Sequence, residues 1–153
     1  AAGLLIGLNS LSAQAATVNS APFNVTINLT STCTFTAPTN VVFNYTSFSA
    51  TVVNATASTF NVTCTNTLPY TVSLLTSPTL LAPAFPVTDS AVGLAYSLAI
   101  AAPAGGGTGT GLAQAYQVTG TMAAGQAGNC ATAGGACTNA AATNNTYVVT
   151  IVY

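Results

Sequence analysis

Phe23, Val25, Ile27 and Leu29 alternate without a break with Asn24, Thr26, Asn28 and Thr30. Successive side chains of a strand point to opposite faces, so this stretch predicts a strand with one apolar and one polar face. Cys33 and Phe35 continue the parity, and after a Pro38-Thr39-Asn40 turn Val41, Phe43 and Tyr45 take it up again. Phe60, Val62 and Cys64 alternate with Asn61, Thr63 and Thr65; Asn66 to Pro69 reads as a turn, and Tyr70, Val72 and Leu74 resume. Further strands are expected at Leu94, Tyr96 and Leu98, around Tyr116–Val118, at Thr121–Met122, and over Thr146–Tyr153, a β-branched and aromatic run. Between them lie a proline-bearing loop (Ser77–Pro86), a Gly-rich connection (Ala102–Gly111) and a small-residue loop (Ala123–Ala142). Short strands about ten residues apart, punctuated in this way, point to an all-β antiparallel sandwich.

Two features of the pattern bear on function. The alternating stretch precedes Cys33, the first residue the cysteines tie down, and the last strand runs to Tyr153. A sandwich left with an unpaired apolar edge aggregates unless something fills that edge. A spare alternating strand is what could fill the gap in a neighbour. The plainer alternative makes residues 23–29 the ordinary first strand of a complete domain.

Composition narrows the chemistry. The 153 residues suit one domain with a real core, yet they include no Lys, Arg or His and a single acidic residue, Asp89. There is no imidazole for a Ser-His-Asp triad, no carboxylate pair for glycoside hydrolysis and no cation to clamp phosphate. A basic footprint for nucleic acid is absent as well. No enzymatic activity, cofactor or metal is expected, and no nucleic-acid partner. A membrane helix needs about 18 consecutive apolar residues, whereas the apolar run from Ala1 stops at Asn9-Ser10, so no integral membrane segment is expected. With almost nothing to titrate, the fold and surface should be nearly indifferent to pH and salt.

Residues 1–15 read either as the remnant of a secretory signal or as an apolar extension that packs on a neighbouring molecule. Ala13-Gln14-Ala15 has the A-x-A form of a cleavage site, although a basic n-region is missing. Both readings favour export. Cys33, Cys64, Cys130 and Cys137 allow three pairings, and sequence proximity favours Cys33–Cys64 and Cys130–Cys137. Their spacing does not supply the close knuckles of a zinc site, so disulfides and an oxidising compartment are expected.

Several short segments, in order, resemble the spore coat U domain family, which includes the major pilins of archaic chaperone–usher pili. They are Cys33-Thr34-Phe35-Thr36-Ala37 after an alternating strand, Ser58 to Asn66, and Pro69 to Leu74; then Gly93 to Leu98, Ala123 to Gln126, and the terminal strand from Thr146-Tyr147. The departures are the missing charges and the inserted Cys130–Cys137 loop. The resemblance implies an incomplete immunoglobulin-like sandwich completed by donor-strand exchange. Residues 16–30 would be the donor strand, with Phe23, Val25, Ile27 and Leu29 as inserting side chains, and 31–153 the pilin domain. The acceptor groove would be bordered by the last strand, through Tyr147, Val149, Ile151 and Tyr153, and by the strand following Cys33. The partners implied are copies of the same chain in a filament, with a periplasmic chaperone and an outer-membrane usher during assembly. The setting implied is a cell-surface pilus, exported through the periplasm, that serves adhesion and biofilm formation.

The remaining features have blander readings. Asp89 sits in Val87-Thr88-Asp89-Ser90, where a turn-capping role is the default. The Gly-rich run from Gly105 to Gly111 lacks the Lys and the helix pattern of a phosphate loop and reads as a connection. Asn-x-Thr sequons at Asn24, Asn28, Asn44, Asn54, Asn61 and Asn144 are expected by chance in a chain so rich in Asn and Thr. A self-contained secreted binding domain, an adhesin or a glycan- or ice-binding protein, is the competing function, but the threonines are too scattered for a flat Thr-x-Thr array.

Overall fold

The computed structural model describes residues 16–76, 85–101, 107–139 and 146–153. The expected signal or extension at 1–15 lies outside these residues, as do most of the 77–86 loop, residues 102–106, the end of the cysteine loop and the sequon at Asn144. The described strands are β1 (Cys33–Phe35), β2 (Val53–Asn54), β3 (Ser58–Cys64), β4 (Thr71–Thr76), β5 (Val87–Thr88), β6 (Ala95–Ala101), β7 (Gln114–Met122) and β8 (Tyr147–Val152). All the ladders are antiparallel. One sheet runs β1-β3-β7-β6-β5 with β2 also on β7, and the other holds β4 and β8. The fold is the antiparallel β-sandwich that the alternation calls for.

The period-two residues explain why the layers stack as they do. On β3 the side chains of Ser58, Phe60, Val62 and Cys64 are buried, while Thr59 and Asn61 face solvent. On β7 the inward set is Tyr116, Val118, Gly120 and Met122. From the second sheet Val72, Leu74, Val149 and Ile151 close over Phe60, Val62, Tyr116 and Val118. Burying a side chain of this size is worth about 1.5–3 kcal/mol, and with so little charge this apolar contact dominates the driving force. The aromatic core adds directed contacts: Phe60 stacks on Tyr116 at 5.5 Å, and the Tyr70 and Tyr116 hydroxyls lie 2.8 Å apart. Tyr70 also donates to the Gln114 side chain.

Both expected cysteine pairs are disulfides, Cys33–Cys64 and Cys130–Cys137. The first joins directly opposed residues of β1 and β3. The second closes a short loop that follows β7.

Two local expectations are corrected. Val41, Phe43 and Tyr45 do not form a ladder strand; only Val42 pairs, in a single bridge with Thr56. Side chains hold this segment instead. The Phe43 ring lies over Gly120, where an added Cβ would come within 2.5 Å of it. The Tyr45 hydroxyl donates to Ala123 O at 3.0 Å and accepts from Gln126 N at 2.9 Å. The separate strands at 116–118 and 121–122 are one strand, β7, because Gly120 continues the ladder and its bare Cα makes room for Phe43.

Candidate functional site

The most regular strand pattern in the sequence forms no strand. Residues 16–30 adopt no regular structure, and every one of them is exposed. Phe23, Val25, Ile27 and Leu29 are 75–85% exposed, the reverse of what four large apolar side chains do when a core is available to them. The segment is anchored where it meets the sandwich: Thr32 N donates to Thr65 Oγ1 at 2.9 Å and Thr65 N donates to Thr32 O at 3.0 Å.

A cleft of about 1060 Å³ opens between the segment after β1 and the beginning of β8. One wall is Pro38 to Ser47, including Val41, Phe43 and Tyr45; the opposite wall is Thr146, Tyr147 and Val149. Its apolar floor is made by Leu74, Leu98, Val118 and Met122, the last two being buried core residues. Among the described residues β8 pairs only with β4, which leaves its other edge open toward the cleft. Of the four expected edge residues, Tyr147 and Val149 line the cleft. Ile151 packs against the core, and Tyr153 is exposed away from the lining.

The electrostatics of the cleft are nearly blank. Asp89, the one charged side chain, is buried at 1% exposure. Its Oδ1 accepts from Ala91 N and Val92 N, both at 2.9 Å, and its Oδ2 accepts from Asn139 Nδ2 at 2.8 Å. The turn-capping role is therefore present, and the contact with Asn139 extends it. Tyr96 and Tyr147 share a hydrogen bond of 2.7 Å in the cleft. Burial first, the bond to Tyr147 next and the nearby Asp89 charge last push the Tyr96 phenol well above the ordinary tyrosine range. Tyr96 is thus kept neutral, and the two hydroxyls serve as a hydrogen-bonded pair in the cleft wall. Among the described residues no three His, Cys, Asp or Glu side chains come together as a metal site would require.

Sequence reasoning did not find the part played by residues 128–139, which form one end of the cleft with the turn at Asp89–Leu94. The signal available was indirect: the single carboxylate and the asparagines that flank the cysteine pair.

The described residues thus combine an antiparallel sandwich, an apolar cleft and an exposed alternating segment. The model of the Spore Coat Protein U domain matches residues 19–79, from the exposed segment through β4, and so shows the resemblance read from the residues. That domain is a structural, pilin-type domain associated with chaperone–usher pilus subunits, not a family of enzymes. Strands β5 to β8 and the Cys130–Cys137 loop lie beyond the matched region. No curated protein and no solved structure matches the chain. Among the described residues no helix is long and apolar enough to cross a membrane.

Proposed function

We propose that this protein is the repeating structural subunit of an extracellular chaperone–usher pilus, polymerising head to tail by donor-strand complementation. The observation that carries this reading is the coexistence of an exposed alternating segment and an open apolar cleft in one molecule. An extended segment laid against the free edge of β8 would gain main-chain hydrogen bonds, and its alternate side chains would enter the cleft. Phe23, Val25, Ile27 and Leu29 of one copy are the inserting residues. Burying all four is worth roughly 6–12 kcal/mol before the cost of ordering the segment. The segment and the cleft are different surfaces of the same chain, so the contact is heterologous and extends into a filament when it does not close.

A periplasmic chaperone would cover the cleft before assembly, and an outer-membrane usher would be the site of polymerisation. Adhesion and biofilm formation are the roles such a fibre serves. Deletion of residues 16–30 tests the assignment. The expected result is loss of filaments by electron microscopy, with the subunit still folded and chaperone-bound. Filaments that persist after the deletion would overturn the donor assignment and promote a self-contained secreted binding domain.

A further inference from the structure

Residues 123–139, which follow β7, form no strand, yet residues 128–139 make one end of the cleft, and their position rests on a small set of pins. The two stems of this loop are held by the same turn. At the first stem Asn129 N donates to Val92 O at 2.6 Å; at the second Asn139 Nδ2 donates to Asp89 Oδ2 at 2.8 Å. Between the stems Cys130 and Cys137 are joined, which holds them together. The turn is itself closed by Asp89 N to Leu94 O at 2.9 Å, by Gly93 N to Asp89 O at 2.8 Å and by the two amides on Asp89 Oδ1.

Close approach of turn and loop depends on two glycines with positive φ. A Cβ on Gly93 (φ 63°) would lie 2.5 Å from the Asn129 side chain, and one on Gly128 (φ 67°) would lie 3.0 Å from Leu94. The glycines therefore supply both the left-handed backbone and the room. The only formal charge in the sequence is thus buried where it grips a loop on the rim of the cleft. A hydrogen bond to an ionised carboxylate is about twice as strong as a neutral one. A buried carboxylate is costly unless its oxygens are satisfied, and here both accept hydrogen bonds.

We infer that Asp89 and Asn139 form a clasp that fixes the Cys130–Cys137 loop as the end wall of the cleft, so that these residues position the groove for residues 16–30 of a second copy. The inference rests on the donor-strand reading above. Asp89 and Asn139 are positioning residues: they act through the wall and govern how long an inserted strand is held.

The test uses the full chain and a labelled peptide of residues 16–32, with release followed after dilution into excess unlabelled peptide. Asn139→Asp places a second carboxylate against Asp89 and should raise the release rate about tenfold, equivalent to about 1.4 kcal/mol. Adding Asp89→Asn in the same chain restores one amide and one carboxylate and should return most of the lost residence time. A merely structural role would move the urea midpoint of the subunit in step with the release rate, whereas positioning of the wall changes release beyond what the midpoint accounts for. If Asn139→Asp misfolds, Asn139→Ala, which adds no charge, should speed release while the subunit still unfolds cooperatively. Release at the wild-type rate from the folded variants overturns the clasp and leaves the donor-strand reading standing. A wild-type chain that does not hold the peptide, or holds an Ile27→Asp peptide equally well, overturns that reading and the clasp with it.

Discussion

In β3, Phe60 and Val62 lie at 2% and 0% exposure, while Thr59 and Asn61 between them face solvent. In residues 23–29 the same spacing of aromatic and β-branched residues, again interleaved with Asn and Thr, leaves its apolar members 75–85% exposed. The difference is supply of partners. β3 has β1 on one edge and β7 on the other, with the second sheet above its inner face. Residues 23–29 meet none of these. Alternation specifies that a segment can be a strand with one apolar face; it does not specify whose sheet that strand completes.

Substitution of an apolar side chain should have opposite consequences in the two places. Phe60→Ala removes a ring that is packed on Tyr116 and should cost about 3–5 kcal/mol in urea unfolding of the unpolymerised subunit. Ile27→Asp should leave that unfolding curve within about 0.5 kcal/mol of wild type, while abolishing filaments. A subunit clearly destabilised by Ile27→Asp would show that the segment packs on its own sandwich in solution, and the contrast between the two regions would collapse.

A smaller effect separates the two disulfides, which differ in the length of chain they close. Cys33–Cys64 spans 31 residues and ties β1, the entry from the exposed segment, to its neighbour β3; Cys130–Cys137 spans 7. Loop-closure entropy assigns roughly 3.5–4 kcal/mol to the first and roughly 2–2.5 kcal/mol to the second. Replacing each pair by alanines and comparing urea midpoints should therefore show the larger loss for Cys33/Cys64. The reverse order would mean that the rim loop contributes to the stability of the whole sandwich rather than to the shape of its cleft.

How much of this was legible in the sequence depends on the kind of signal each part carries. The inward sets of β3 and β8 could be read from period two, whereas β7 read as two strands because Gly120 interrupts its apolar alternation. Val41, Phe43 and Tyr45 show the same period without a ladder; what holds them is a ring over Gly120 and a phenol on Ala123, contacts to residues about 80 positions away. The cleft itself could be anticipated only through the family resemblance and the open-edge argument. Its end wall could not be: a run such as Ala131-Thr132-Ala133-Gly134-Gly135-Ala136 has no periodicity. Nor does the pairing of Asp89 with Asn139, 50 residues later, leave any local trace. Capping by Asp89 was local, to Ala91 and Val92, and for that reason it was readable.

Alkali should act on the two regions differently, and only gradually. Residues 16–32 contain no titratable side chain, so high pH acts on the sandwich alone. Burial, and then the hydrogen bond to Tyr116, push Tyr70 up to about 12, and Tyr96 is raised in the same direction by burial and by Tyr147. A raised pKa in the folded state means that the stabilising difference is fully present below the ordinary tyrosine value near 10. It is lost as pH climbs from there through the folded value, because the unfolded chain ionises first. Urea midpoints of the free subunit should accordingly stay level up to about pH 10 and fall between about 10 and 12. Tyr96 lines the cleft, so an inserted strand would bury it further and raise it again. Filaments should therefore keep their subunits folded to a higher pH than the free subunit does, read by tyrosine absorbance and electron microscopy on the same samples. Equal alkaline midpoints for filament and subunit would place the inserted strand away from Tyr96.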